Sequence, residues 1–543
     1  MRRLGVITMV LCGILPLAAC DAGGTDEPET WEGRTPRILV LGDSLSQGRA
    51  GDVTWRGRLA EHLEAVGQDV DFVGPRKGVQ DPASYVGVSW PESEDYGAAS
   101  FDTDHAARWG QTVGFLETAP DELVAALEPD IVVIQLGTND LSWLNASGAE
   151  VGDQLESLVR ILQHANPDID VVLSQLPSIR LPGGAEVNGH VDDLVDELDT
   201  ERSRVVVAPI NEGYDEDATW DGLHPNPRGE SVIARGVATA LDELGVGDEW
   251  GQKLADPGAL PPGRPRLTAR VGSSIYLTWD EVSWADGYHV LTRREQGRKP
   301  TWEWHSDAAG NAAEVGGLEP GATYEIAVQP FRGTMVASEA KWSTRVTVTP
   351  RAAGRPALPA PRTRTSDQGL AVTWRAVPGA KEYWLWYRSY EVDRVFGGKG
   401  TWRVRRVTDP SADLEDLVPG LAYQVAVQAH GQAGPTAMGA VTDVVGPGTK
   451  PEAPEVEVRT DTGVRGTAVL AWEPSEHATR HDVWYRLAGG TEDWVAYNTA
   501  GVLTAPRVTL LGLVPGARYE VVVKSFNGAL QGKDSSATFV AEE

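Results

Sequence analysis

The chain has 543 residues, 41% of them hydrophobic and 23% charged, with a formal net charge of -30. That is too long for one ordinary core and points to three or four soluble domains. The acidic residues are spread along the whole chain, which excludes a nucleic-acid partner, whose phosphates need a basic surface, and disfavours electrostatic docking onto anionic lipid.

The N-terminus reads as an address. Arg2 and Arg3 precede an apolar run, Gly5 to Leu17, that is too short for a stable membrane span. It ends in Leu17-Ala-Ala-Cys20, which resembles a bacterial lipobox. The resemblance implies a signal peptide over 1–19, a lipidated Cys20, membrane attachment through that lipid and an extracellular, cell-surface location. An ordinary signal peptide cut nearby is the alternative. A polar tether over 20–35 follows. The chain's two cysteines are Cys12 and Cys20, so the rest has neither a disulfide framework nor a cysteine zinc site. No later stretch is long and apolar enough to cross a bilayer.

From 36 to 246 strands and helices alternate. Apolar runs at Arg37–Leu41, Val70–Val73, Ile131–Leu136, Ile169–Leu176 and Val205–Ile210 read as strands. Ile131–Leu136 is uniformly apolar and so central and parallel. Helical stripes fall at Trp55–Val66, Glu150–His164, Val191–Leu198 and Pro227–Leu244. The alternation predicts a doubly wound α/β sheet, with ligands bound beyond the C-terminal strand ends.

A Pro- and Gly-rich linker over 247–263 ends the helical pattern. Three copies of one β pattern follow, over 264–350, 356–449 and 452–543. Each has a strand ending in tryptophan (Trp279, Trp374, Trp472), a strand around Tyr288, Tyr383 or Val483, and a Leu-X-Pro-Gly-X-X-Tyr corner ending at Tyr324, Tyr423 or Tyr519. The three copies resemble fibronectin type III sandwiches. Their commoner role is that of a spacer that holds an enzyme near an insoluble substrate. Trp302, Trp402 and Trp494 recur at similar offsets and raise the alternative of contacts to polysaccharide or cell wall.

Three motifs carry chemistry. Val40-Leu-Gly-Asp-Ser-Leu45 places Ser44 after the first strand, where a serine alone is more often a helix cap. Gln135-Leu-Gly-Thr-Asn-Asp140 puts Asn139 at the end of the central strand. Trp220-Asp-Gly-Leu-His-Pro-Asn226 sets Asp221 and His224 three residues apart, close enough for the carboxylate to orient the imidazole. Together they resemble the SGNH, or GDSL-type, hydrolases over 36–246. The resemblance implies Ser44 as nucleophile, His224 as general base and Asp221 as its orienting partner. It also implies an oxyanion hole from Ser44, Gly110 and Asn139, with no metal and no cofactor. Scattered His62, His105, His164 and His190 lack metal-ligand spacing and read as surface or loop residues.

Leu41-Gly-Asp-Ser-Leu-Ser-Gln-Gly48, Trp55-Arg-Gly-Arg-Leu59 and Val70-Asp-Phe-Val-Gly74 look like carbohydrate esterase family three, which includes acetylxylan esterases. That family's second block reads Asp-His-Glu-Gly-His-Ser-Gly-Trp. Here Asp104, His105 and Gly110 match, whereas Ala106, Ala107, Arg108 and Trp109 do not. The implied activity is hydrolysis of O-acyl, foremost acetyl, esters on polysaccharide. A lipase, phospholipase or aryl esterase is the alternative on the same fold, and an inactive surface-binding lipoprotein is the alternative of another class.

Overall fold

The computed structural model describes residues 34–81, 92–97, 99–257, 260, 263–295, 301–366, 369–389, 402–415, 417–490, 493–496 and 503–543. The lipobox, Cys20 and nearly all of the tether lie outside these residues.

The first domain runs through β1 (Arg37–Gly42), α1 (Ser44–Gln47), α2 (Thr54–Val66), β2 (Asp71–Val73), β3 (Val79–Gln80), β4 (Glu92–Ser93), β5 (Phe115–Leu116) and α3 (Pro120–Leu127). It continues through β6 (Ile131–Gln135), α4 (Thr138–Ser142), α5 (Gly148–Ala165), β7 (Asp170–Ser174), α6 (Gly184–Leu198), β8 (Val205–Ala208) and α7 (Pro227–Glu243). Five parallel strands form the sheet in the order β2-β1-β6-β7-β8, the flavodoxin-like order, with the apolar β6 at its centre. Alternate side chains serve opposite faces. Leu39, Leu41, Val132, Ile134, Val171 and Leu173 share one core with α3, α5 and α6. Helices α2 and α7 pack on each other.

Local chemistry fixes the helix starts. Ser147 and Glu150 close a reciprocal capping box on α5. Asn226 accepts from the Arg228 and Gly229 amides at α7, ahead of Pro227 in the first turn. The histidines need a correction. His62 and His105 are 1% and 0% exposed. His62 Nε2 meets the Asp248 carbonyl at 2.9 Å and His105 Nε2 the Gly78 carbonyl at 3.1 Å, so both are core groups anchored to backbone.

The three β repeats are sandwiches, and their repeated residues explain themselves. The corner tyrosines Tyr324, Tyr423 and Tyr519 accept from the backbone amides of Glu319, Val418 and Val514 at 3.2, 3.0 and 2.9 Å. Trp279 packs edge-on to Tyr288, and Trp374 to Tyr383. The third copy has Val483 at that position, and His481 meets Trp472 instead. Each of Trp302, Trp402 and Trp494 has a ring face covered by an arginine of the neighbouring strand, Arg293, Arg388 or Arg486, 4.3–4.7 Å from the ring centre.

The sandwiches pack on one another and on the α/β domain. The second packs on the first through Tyr276 against Trp384 and Trp386, with Arg270 bonded to Glu382 at 2.9 Å. The third meets the second where the Ala529 amide donates to the Pro419 carbonyl at 2.8 Å. The third sandwich then returns to the α/β domain. Strand β5 adds antiparallel to its Arg507–Leu510 strand, and Phe115 enters its core. The first sandwich docks on the α/β domain as well, through the Arg332–Asp52 ion pair. Burial of Phe115 and the pairing of an otherwise open strand edge both favour the docking of the third sandwich.

Candidate active site

Strand β1 ends at Gly42, where a Cβ would stand 2.4 Å from the Ser46 side chain. Only glycine allows the chain to turn this tightly from strand into α1. Asp43 caps that helix by accepting from the Leu45 amide at 2.8 Å. Ser44 is its first residue, so its own N–H has no carbonyl one turn earlier and points out of the helix start. Burial of the Asp43 carboxyl pushes it up to about 7, against the pull of the Leu45 amide and His224.

The histidine arrives on the loop before α7. That loop is closed by the Trp220 amide on the His224 carbonyl at 2.9 Å, and by the Tyr214 hydroxyl on the Leu223 carbonyl at 2.8 Å. Asp221 Oδ1 accepts from the Leu223 and His224 amides at 3.0 and 2.9 Å. Its other oxygen meets His224 Nδ1 at 2.8 Å, and His224 Nε2 lies 3.1 Å from Ser44 Oγ. Ser44, His224 and Asp221 are thus joined in one hydrogen-bonded line. Burial raises Asp221, but the His224 bond and charge with the two amides outweigh it and hold the carboxyl well below the usual carboxylate range.

Asn139 stands in α4 beyond the end of β6 and donates Nδ2 to the Gln111 carbonyl at 2.8 Å. An amide nitrogen carries two hydrogens, so one remains for a ligand. Gly110 is the buried residue before Gln111, with φ +79. Residues Val113 and Gly114 of the same loop donate to Asp140 at 2.9 and 3.0 Å. Burial raises Asp140 to about 6 despite those amides. The structure therefore links Ser44 and Asp221 through His224, and ties Asn139 on α4 to the loop that carries Gly110 through the Gln111 carbonyl.

Of the four residues that depart from the second-block pattern, Arg108 and Trp109 go different ways. Arg108 is 3% exposed and ion-paired with the buried Glu117, while its amide donates to the Gly42 carbonyl at 2.9 Å. It ties the loop to the end of β1. Trp109 stacks on the His224 ring, 4.7 Å between centres and 15° from parallel. A small recess beside Ser44 and His224 is lined by Trp109, Leu45, Thr54 and the charged Arg49, Asp52, Glu230 and Arg332. Burial raises Glu230, and Arg58 opposes it. Arg332 belongs to the first sandwich, and no local motif marks it in the sequence.

Residues 40–232 match the GDSL-like lipase/acylhydrolase family. A multidomain esterase of Ruminococcus flavefaciens is 30% identical over 214 residues, which is 37% of this chain and 28% of that protein. Human Roundabout homolog 3 is 25% identical over 352 residues, 56% of this chain and 24% of that protein. The chain thus spans about a quarter of the length of these curated relatives. Among solved structures, a carbohydrate esterase family 3 from Talaromyces cellulolyticus is 26% identical, with TM-score 0.33, covering 39% of this chain and 98% of that one. The FN1–FN3 domains of chicken CNTN1 are 20% identical, with TM-score 0.21, over 52% and 99% of the two chains. The match to the GDSL-like lipase/acylhydrolase family falls within the first, α/β domain and spans the segments that carry Ser44, Asn139, Asp221 and His224. The β-sandwiches that follow it are of the fibronectin type III kind.

Proposed function

We propose that this protein is an extracellular serine esterase that removes short O-acyl groups, foremost acetyl, from polysaccharide. In this reading it is held at the bacterial cell surface by lipid on Cys20. The observation that carries the catalytic part is the unbroken line from Ser44 Oγ through His224 to Asp221, at 3.1 and 2.8 Å.

His224 Nε2 takes the Ser44 proton as Oγ attacks the ester carbonyl carbon. Asp221 keeps the Nδ1–H tautomer and stabilises the imidazolium. The carbonyl oxygen, now an oxyanion, is met by the N–H groups of Ser44 and Gly110 and by Asn139 Nδ2. His224 then protonates the leaving alcohol. Water, deprotonated by His224, attacks the acyl-serine and releases the carboxylic acid and free Ser44.

The residues that line the recess beside Ser44 and His224 form no extended apolar wall of the kind a lipid chain would need, which favours a short acyl group. Hydrolysis of a 4-nitrophenyl series from acetate to palmitate tests the reading. Acetate release that falls with chain length and is abolished in Ser44→Ala supports it. A preference for long chains favours a lipase instead, and equal rates in the two proteins leave a surface-binding lipoprotein.

A further inference from the structure

We infer that the turn Arg332–Thr334 of the first sandwich is a positioning element of the catalytic centre, holding the Asp221–His224 loop against the loop that follows Ser44. This rests on the esterase reading above.

Trp220, the residue before Asp221, does not pack in the core of its own domain. Its ring is 3% exposed and belongs to the core of the first sandwich, with Trp279, Trp284 and Leu260. The Arg332 guanidinium lies over that ring, 4.6 Å from its centre. The same guanidinium grips Asp52 with both nitrogens, at 2.5 and 2.9 Å, and both side chains are nearly fully buried. Asp52 in turn accepts from the Arg49 amide at 3.0 Å, which fixes the loop after α1. One side chain from the sandwich therefore touches both the loop that follows the Ser44 helix, at Asp52, and the residue that precedes Asp221, at Trp220.

The backbone adds a second grip. The Thr334 amide donates to the Trp220 carbonyl at 3.2 Å, and the Gly333 amide to Asp286 at 2.6 Å. Asp286 is also the partner of Arg49. At Gly333, with φ +53, a Cβ would sit 2.0 Å from the Trp220 carbonyl oxygen and 3.4 Å from the Asp221 amide. The turn can approach the catalytic loop this closely only as glycine. A general base works only when held within hydrogen-bond reach of its proton donor, and a displacement of about 1 Å costs on the order of a hundredfold. A sandwich that fixes Trp220 thereby fixes the 3.1 Å contact between His224 and Ser44.

Two full-length variants test this. Gly333→Ala pushes on the Trp220 carbonyl and changes no charge. Arg332→Gln combined with Asp52→Asn replaces the buried ion pair by a neutral pair of similar size, so no lone charge is left buried. Each is checked for folding by circular dichroism and melting, then assayed with 4-nitrophenyl acetate. The low-field proton resonance of the His224 Nδ1–H···Asp221 bond is recorded alongside. We expect kcat to fall at least tenfold in a folded Gly333→Ala, KM to change less than threefold, and the low-field resonance to shift or broaden. The paired variant should show the same direction. A folded variant of either kind with wild-type kcat and an unmoved resonance overturns the inference. If one variant does not fold, the other decides. If the wild-type protein hydrolyses no ester, the esterase reading fails, and the resonance alone then decides whether the turn positions the loop.

Discussion

Replacing Asp221 by asparagine isolates one interaction in the site. The asparagine oxygen can still accept from the Leu223 and His224 amides, so the loop before α7 keeps its shape. What is lost is the carboxylate oxygen 2.8 Å from His224 Nδ1. In its place stands an NH2 donor, which favours the tautomer with hydrogen on Nε2. That nitrogen then cannot accept the Ser44 proton across the 3.1 Å contact. In a fully buried triad this substitution costs about 10⁴ in kcat. The Asp221 side chain is 46% exposed, so water can replace part of its role. We therefore expect a loss of about 10²–10³, or roughly 3–4 kcal/mol of transition-state stabilisation. Initial rates with 4-nitrophenyl acetate give kcat directly, and the melting temperature shows that the fold is intact. A folded Asp221→Asn protein with activity within threefold of wild type would refute the assignment of Asp221 as the orienting carboxylate.

Further outcomes follow from neighbouring groups. Asn139→Ala should lower kcat by about 10²–10³ with little change in KM, as removal of an oxyanion donor does, whereas a pure KM effect would place Asn139 in substrate binding instead. Asp43 holds its proton in the folded protein up to about pH 7, against 3.8 for an ordinary aspartate, so the native state binds the proton where the unfolded chain has released it. Stability is therefore lost as pH rises from about 4 to 7, with a slope of at most about 1.4 kcal/mol per pH unit. Asp43→Asn keeps the cap on Leu45 and removes that slope. Urea midpoints at pH 5, 6 and 7 should show the variant gaining on wild type as pH rises, and parallel curves would contradict the burial argument. Phe115→Ala should destabilise by about 3–5 kcal/mol and loosen β5 from the third sandwich, read as a lower urea midpoint and as faster amide exchange at Thr509 and Leu510.

Much of the fold was legible because its signals are local. The runs Arg37–Leu41, Ile131–Leu136 and Val205–Ile210 are apolar on both faces, as strands covered by helices on each side must be. The Trp and Tyr repeats were legible because each sandwich needs a core aromatic and a corner hydroxyl. The Asp221–His224 pair could be seen because its geometry is set within four residues. Helix α6 was expected from Val191 and starts at Gly184. Its first turns contain Gly184 and Gly189, which weaken the helical signal, and they are held by tertiary contacts such as Asn188 Oδ1 accepting from the Leu176 amide at 2.6 Å. Helix α3 and strand β5 were not foreseen. β5 is only two residues long, and its partner strand lies nearly 400 residues away. The grip of Arg332 on Asp52 spans 280 residues and has no periodicity to betray it. Domain docking is written in the complementarity of two surfaces, and a single sequence displays neither surface.

The account stands or falls on Ser44 being an activated nucleophile. A serine-reactive fluorophosphonate added to the full-length protein, followed by proteolysis and mass spectrometry, reads this directly. The account predicts one stoichiometric adduct on the peptide that contains Ser44, absent in Ser44→Ala and slowed in Asp221→Asn. An unlabelled wild-type protein, or an adduct on any other residue, would contradict it.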